Sequence, residues 1–170
     1  MSKKPLKAVF LDTSFLITLT DSGRKDHDVA VRFFSFWFEN RVKMFVSAIC
    51  YAEYLTKAES LPGYILNATE VVSFNAEAAS LAGQFMRKKD KLLSPAGVRD
   101  ALKDDVKIVA SAIMYNVAAI AHCDGNSMSK FIKQAQEIIP DAKNLKSILI
   151  ADGYDEGTAS LGEPFLPFAD

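Results

Sequence analysis

Short, almost unbroken apolar runs recur along the chain: AVFLD at 8–12, KMFVSA at 43–48, EVVSF at 70–74, VAAIAHC at 117–123 and KSILIA at 146–151. Strands covered on both faces lose the polar–apolar alternation of half-exposed ones, so these runs predict the strands of a mostly parallel sheet. Longer stretches with helical spacing separate them. Ala30, Phe33, Phe34, Trp37 and Phe38 fall at i, i+3, i+4, i+7 and i+8, which predicts a helix with one buried face. Phe36 points off that face and is a candidate for a surface shared with a second copy of the chain. Asn75 with Glu77 opens a helix predicted to reach about Lys91, Ser-Pro and Gly make 93–99 a loop, and Asp100 caps a helix ending near Tyr115. Ser127 caps a last helix, ending near Pro140. Strand and helix alternating in this way predict an α/β fold, a three-layer α/β/α sandwich around about five strands.

The polar positions that interrupt this pattern carry the chemistry. Val9, Phe10 and Leu11 run straight into Asp12, and Phe15, Leu16 and Ile17 follow. A carboxylate left unpaired among such neighbours is costly. In an open parallel sheet the binding crevice lies beyond the carboxyl ends of the strands. Asp12 closes the first strand, Asp124 closes the fourth, and Glu53 sits just over one turn into the helix after the second. Of the pair Asp104–Asp105, the face defined by Leu102, Val106, Val109 and Ile113 puts Asp105 roughly 60° from its centre and Asp104 roughly 160° away. Asp105 therefore borders the interior. Glu59 competes with Glu53 but lies roughly 9 Å further along its helix.

Each acid has a plain structural alternative: a strand-end Asp commonly caps the next helix, and a lone Glu is commonly a surface charge. Four at comparable positions of one topology are expected to converge, repel and raise one another's pKa. Mg²⁺ or Mn²⁺, hard cations that prefer oxygen ligands, would remove that penalty. Such a site suits phosphoryl chemistry.

Composition narrows the partners. The 170 residues are 49% hydrophobic, which suits one domain with its own core, and the net charge of −1 supplies no global basic field. No run of about 18 apolar residues is present for a membrane span. An acid comes too early at the N-terminus for a secretory signal. Cys50 and Cys123 make no disulfide framework, which fits a cytoplasmic location. Zinc on Cys50, His122 and Cys123 is disfavoured, because adjacent strand residues point to opposite faces and no C-x-x-C pair occurs. His27, between Asp26 and Asp28, is expected to be solvated. The densest basic set is Arg87, Lys88, Lys89, Lys91, Arg99, Lys103 and Lys107, either a solvated helix end or a phosphate-binding surface.

Taken in order, VFLDTSFLI, FVSAICYAEYL and KDDVKIVASAIMYNVAAIAHCD resemble the successive motifs of PIN-domain ribonucleases, the group that includes the VapC-like toxins of bacterial toxin–antitoxin pairs. Asp12, Thr13 and Ser14 match the first motif, Ser47 and Glu53 the second, Asp105, Ile108, Ala110 and Ala112 the third, and Asp124 the fourth. The resemblance implies a PIN-like nuclease domain over residues 1–150; beyond it, the Gly-, Pro- and acid-bearing stretch without Lys or Arg at 151–170 reads as an irregular acidic tail, either disordered or packed through Phe165, Leu166 and Phe168. It implies an endoribonuclease hydrolysing RNA phosphodiester bonds, with Asp12, Glu53, Asp105 and Asp124 holding Mg²⁺ or Mn²⁺ and Ser14 beside them. It also implies an antitoxin protein as partner. Relatives commonly carry Thr or Ser where His122 stands, and this departure favours the rival reading, a PIN-like domain that binds RNA or protein without cutting. A phosphoaspartate enzyme ranks last, since it wants a Lys near the acids at a strand end.

Overall fold

The computed structural model describes residues 6–90 and 102–162. Five strands, β1 (Leu6–Leu11), β2 (Lys43–Ser47), β3 (Thr69–Val72), β4 (Val117–His122) and β5 (Lys146–Leu149), form one sheet in the order β3-β2-β1-β4-β5. Every neighbouring pair is parallel. The helices are α1 (Thr13–Thr20), α2 (His27–Glu39), α3 (Ala48–Leu55), α4 (Gly63–Ala68), α5 (Ala76–Asp90), α6 (Leu102–Met114), α7 (Met128–Ile138) and α8 (Glu156–Ala159). Helices α1, α2 and α3 pack together, and α5, α6 and α7 form a second group. The chain winds outward from β1 to β3, then returns to β4 and β5. With right-handed crossovers, that reversal places the two groups of helices on opposite faces. The three-layer α/β fold expected from the sequence is the one observed.

Burial follows strand position. Ala8, Val9, Phe10 and Leu11 of β1 are fully buried, and β4 is buried along its whole length. Edge strand β3 departs from the expected continuous burial, with Glu70 exposed and Val71 41% exposed, because no strand covers its outer side. Phe10, Phe45 and Tyr115 cluster with ring centroids 5.7 to 6.3 Å apart. Each such ring contributes about 1.5–3 kcal/mol by leaving water.

Helix α2 corrects one expectation. Ala30, Phe33, Phe34 and Trp37 are buried as predicted, but Phe38 is 60% exposed and Phe36 is partly buried. The cause is the segment after β5. The indole Nε1 of Trp37 donates to the Ala159 carbonyl at 3.0 Å, and Tyr154 packs edge-on against both Phe33 and Phe36. Arg32 stacks over the same Tyr154 ring at 4.3 Å. Residues 151–162 thus cover the Phe36 side, while Phe38, Val31, Phe34 and Tyr64 line an open apolar cleft of about 420 Å³. His27 also lines this cleft; its Nδ1 lies 3.0 Å from the Thr18 carbonyl, so it is bound rather than solvated.

Asn75 caps α5 as expected, its Oδ1 accepting from the Ala78 amide at 2.9 Å. The loop at 93–99, Asp100, and the tail residues Phe165, Leu166 and Phe168 lie outside the described residues. No helix among the described residues is long and apolar enough to cross a membrane.

Candidate active site

Strand order reverses between β1 and β4, so their carboxyl ends diverge into the crevice where such sheets bind ligands. Asp12 follows β1 directly, and its amide donates to the Ala121 carbonyl of β4 at 3.0 Å, which ties it to that junction. Asp12 is only 7% exposed. Asp12 caps α1: Oδ2 accepts from the Ser14 amide at 3.0 Å and from the Ser14 hydroxyl. The Ser14 oxygen in turn accepts the Cys123 amide at 2.9 Å, bridging the β1 and β4 ends. Among the described residues no lysine or arginine forms an ion pair with Asp12.

Glu53 faces the same region from α3, which starts at the end of β2 with Ser47 accepting the Cys50 amide at 3.1 Å. The Thr13 hydroxyl donates to Glu53 Oε2. Asp104 and Asp105 diverge as the helical wheel predicts: Asp104 pairs with Lys107 at 2.7 Å, while Asp105 Oδ2 lies 2.9 Å from the Ser127 hydroxyl. Ser127 also reaches Asp124 Oδ2 at 2.7 Å. Asp124 Oδ1 accepts the Asn126 and Ser127 amides at 2.8 and 3.0 Å, forming the turn into α7.

The expected mutual elevation of pKa appears in one acid and reverses in another. Asp105 is pushed up to about 6, first by burial and then by the charges of Asp12, Asp124 and Glu53, against the Ser127 hydrogen bond. Asp124 is held below the usual carboxylate range by the Ser127 hydroxyl and by the amides of its own turn. Each of the four acids is therefore matched by a hydroxyl: Ser14 with Asp12, Thr13 with Glu53, and Ser127 with both Asp105 and Asp124. With its acids turned to these donors, the crevice is not a ready ligand shell: among the described residues no three Asp, Glu, His or Cys side chains are already gathered around one point.

Thr13 and Ser127 are the residues that reading the chain did not single out as site members. The signal for Thr13 was its place beside Asp12. Ser127 was expected to cap α7, yet it makes no side-chain cap hydrogen bond. The neighbouring soft ligands are otherwise engaged. Cys50 is fully buried, its thiol pushed up to about 12 by burial and by Asp12. Cys123 donates to the Thr18 hydroxyl at 3.3 Å. His122 is fully buried with Nε2 2.7 Å from the Ser147 hydroxyl and Ser129 close by, so the residue that departs from the family pattern is occupied at β5 and α7. Of the basic set, Lys107 is taken by Asp104 and Lys88 reaches the Ile138 carbonyl at 3.4 Å, while Arg87 is exposed. The side chains of Lys89, Lys91, Arg99 and Lys103 lie outside the described residues.

A doubly wound parallel sheet with acids at its switch point defines the class of protein, and the family follows. The model of the PIN domain family matches residues 9–133, so the chain belongs to the PIN domain family. Similar solved structures are toxins and toxin–antitoxin complexes. VapC20 of Mycobacterium tuberculosis, described as a toxin that cleaves the sarcin-ricin loop, is 17% identical with a TM-score of 0.52, covering 72% of this chain and 94% of its own. VapBC2 of Rickettsia felis, bound to a DNA fragment of its promoter, is 16% identical with a TM-score of 0.57, covering 82% and 98%. DNA-bound VapBC of Salmonella typhimurium is 17% identical with a TM-score of 0.55, covering 82% and 97%. At these identities the likeness is one of fold. No curated protein matches the chain.

Proposed function

We propose that the protein is an endoribonuclease that hydrolyses RNA phosphodiester bonds with Mg²⁺ or Mn²⁺, and that it is the toxin of a toxin–antitoxin pair. The observation that carries this reading is Asp105, raised first by burial and then by the charges of Asp12, Asp124 and Glu53, beside a buried Asp12 with no lysine or arginine ion pair among the described residues. An all-oxygen, negatively charged donor set suits a hard divalent cation. Asp12, Glu53, Asp105 and Asp124 would hold the ion. When bound, it supplies an activated water and neutralises charge developing at phosphorus.

The chain's own residues do the positioning. Ser14 fixes Asp12 against the end of β4, and Thr13 fixes Glu53. The burial of Asp12 keeps bulk water from screening its charge. Support for an antitoxin comes from the fold shared with VapBC complexes and from the open apolar cleft beside Phe38, Val31 and Tyr64, a surface suited to protein contact. A homodimer through that same cleft is the other protein partner proposed, and the cytoplasm is the proposed location.

A second reading, an RNA- or protein-binding PIN domain that does not cut, draws on the four acids not being gathered into a shell. Incubating purified protein with total RNA and Mn²⁺, with and without EDTA, separates the two. Cleavage that EDTA abolishes and that Asp12→Asn lowers by roughly 10²–10³-fold is expected. Binding without cleavage would support the second reading.

A further inference from the structure

Ser127 occupies the N-cap position of α7, where a serine hydroxyl ordinarily accepts an amide from the first turn. Here it makes no such bond, and its backbone φ and ψ of −104° and −60° lie outside the extended region that a capping residue adopts. The hydroxyl instead lies between two carboxylates, 2.7 Å from Asp124 Oδ2 and 2.9 Å from Asp105 Oδ2. A hydroxyl has one proton and donates to one of them at a time. The turn that enters this helix is closed by Asp124, whose Oδ1 accepts the Asn126 and Ser127 amides. The side chain of Ser127 is thus free of a helical duty and committed to the acids.

From this we infer that Ser127 is a positioning residue of the site: it clasps Asp105 of α6 to Asp124, in the turn before α7, so that both present oxygen to one divalent cation. The inference rests on the proposed metal-dependent function and names a residue that the family motifs carried by this chain do not include. The turn holds Asp124 through Oδ1, and Ser127 links its other oxygen to Asp105. Among the described residues Ser127 is also the hydrogen-bond donor to Asp105. Without it, the two carboxylates lose the one hydroxyl dipole they share. Residues one step removed from a metal ion typically alter its affinity by about 10–100-fold when lost.

The test is Mn²⁺ binding, read by the loss of free-ion electron paramagnetic resonance signal, together with thermal melts of the metal-free protein. Wild type, Ser127→Ala and Ser127→Thr are compared. Ser127→Ala should bind Mn²⁺ about 10–100-fold more weakly while its metal-free melting temperature stays near that of wild type, and Ser127→Thr, which keeps a hydroxyl, should recover most of the affinity. If Ser127→Ala binds Mn²⁺ as tightly as wild type, the positioning role is wrong while the metal site stands. If its metal-free melting temperature falls and Ser127→Thr restores neither property, Ser127 is structural. If wild type itself binds no Mn²⁺, both this role and the metal-dependent reading are overturned.

Discussion

The two halves of the crevice are built differently. On the β1–α3 side, each acid has its own hydroxyl: Ser14 serves Asp12 and Thr13 serves Glu53. On the α6–α7 side, two acids share Ser127. The first half is anchored by strand ends, with Ser14 tied to the Cys123 amide and Asp12 to the Ala121 carbonyl. The second is anchored at helix starts, and there the two acids move in opposite directions, Asp105 upward and Asp124 downward. Half of this site is thus a scaffold set by the sheet. The other half is a pair of helix entries whose two acids share one hydroxyl.

If the halves form one site, removing a charge from either should be equally damaging. Asp12→Asn keeps the capping oxygen but loses the charge, and RNA cleavage should fall by roughly 10²–10³-fold. Asp105→Asn should match it. Asp104→Asn should stay within about threefold of wild type, because a surface ion pair such as Asp104–Lys107 is worth about 0–1 kcal/mol. Initial cleavage rates at fixed Mn²⁺ measure all three. A loss with Asp105→Asn far smaller than with Asp12→Asn would break the two halves apart.

The pH dependence of metal-free stability sharpens the contrast. Asp105 stands at about 6 in the fold against an ordinary 3.8, so its stabilising contribution is fully present below 3.8 and is lost as pH rises through about 6. After allowance for solvent screening, metal-free wild type should lose about 1 kcal/mol by this route between pH 4 and pH 7.5. Asp105→Asn should remove that slope in urea melts. An unchanged slope would mean that burial and the neighbouring charges do not act on Asp105 as described. Asp124 has the opposite sign: its contribution is present above 3.8 and is lost only as pH falls through its lowered folded value.

Asp124 should therefore behave as a structural acid as well as a site acid. Asp124→Ala should cost about 1 kcal/mol in metal-free urea melts at pH 7, the scale of losing a helix-entry cap. Relief of repulsion alone would have made such a variant more stable. A stabilised Asp124→Ala would show that the turn amides matter less than the neighbouring charges.

Much of this arrangement was legible in the chain. The strand runs were visible because β1 and β4 are buried on both faces, so that Ala8–Leu11 and Val117–Ala121 tolerate no alternation. Asp105 was separable from Asp104 because a helical wheel depends on spacing alone. What did not show was contact between distant residues. Phe38 has the spacing of a buried residue, but the Phe36 side wins cover because Tyr154 and Ala159 return to α2 from more than a hundred positions away. Ser127 reads as an ordinary cap; its hydroxyl turns instead to Asp124, three positions earlier, and to Asp105, which only the approach of α6 brings near. Arg41 carries a left-handed φ of 53° in the turn from α2 to β2, where a glycine would have marked the bend.

The central claim is that the buried charge of Asp12 is kept for a divalent cation. Its most direct test is the melting temperature of wild type and Asp12→Asn across a Mn²⁺ titration, with Ca²⁺-free, EDTA-treated protein as the zero point. A ligand of the native state adds RT ln(1 + [L]/Kd), so at a hundredfold excess over Kd wild type should gain about 5–10 °C. Asp12→Asn should gain little or nothing. A flat wild-type titration to millimolar Mn²⁺, or an equal rise in both proteins, would contradict the account and leave Asp12 as the cap of α1.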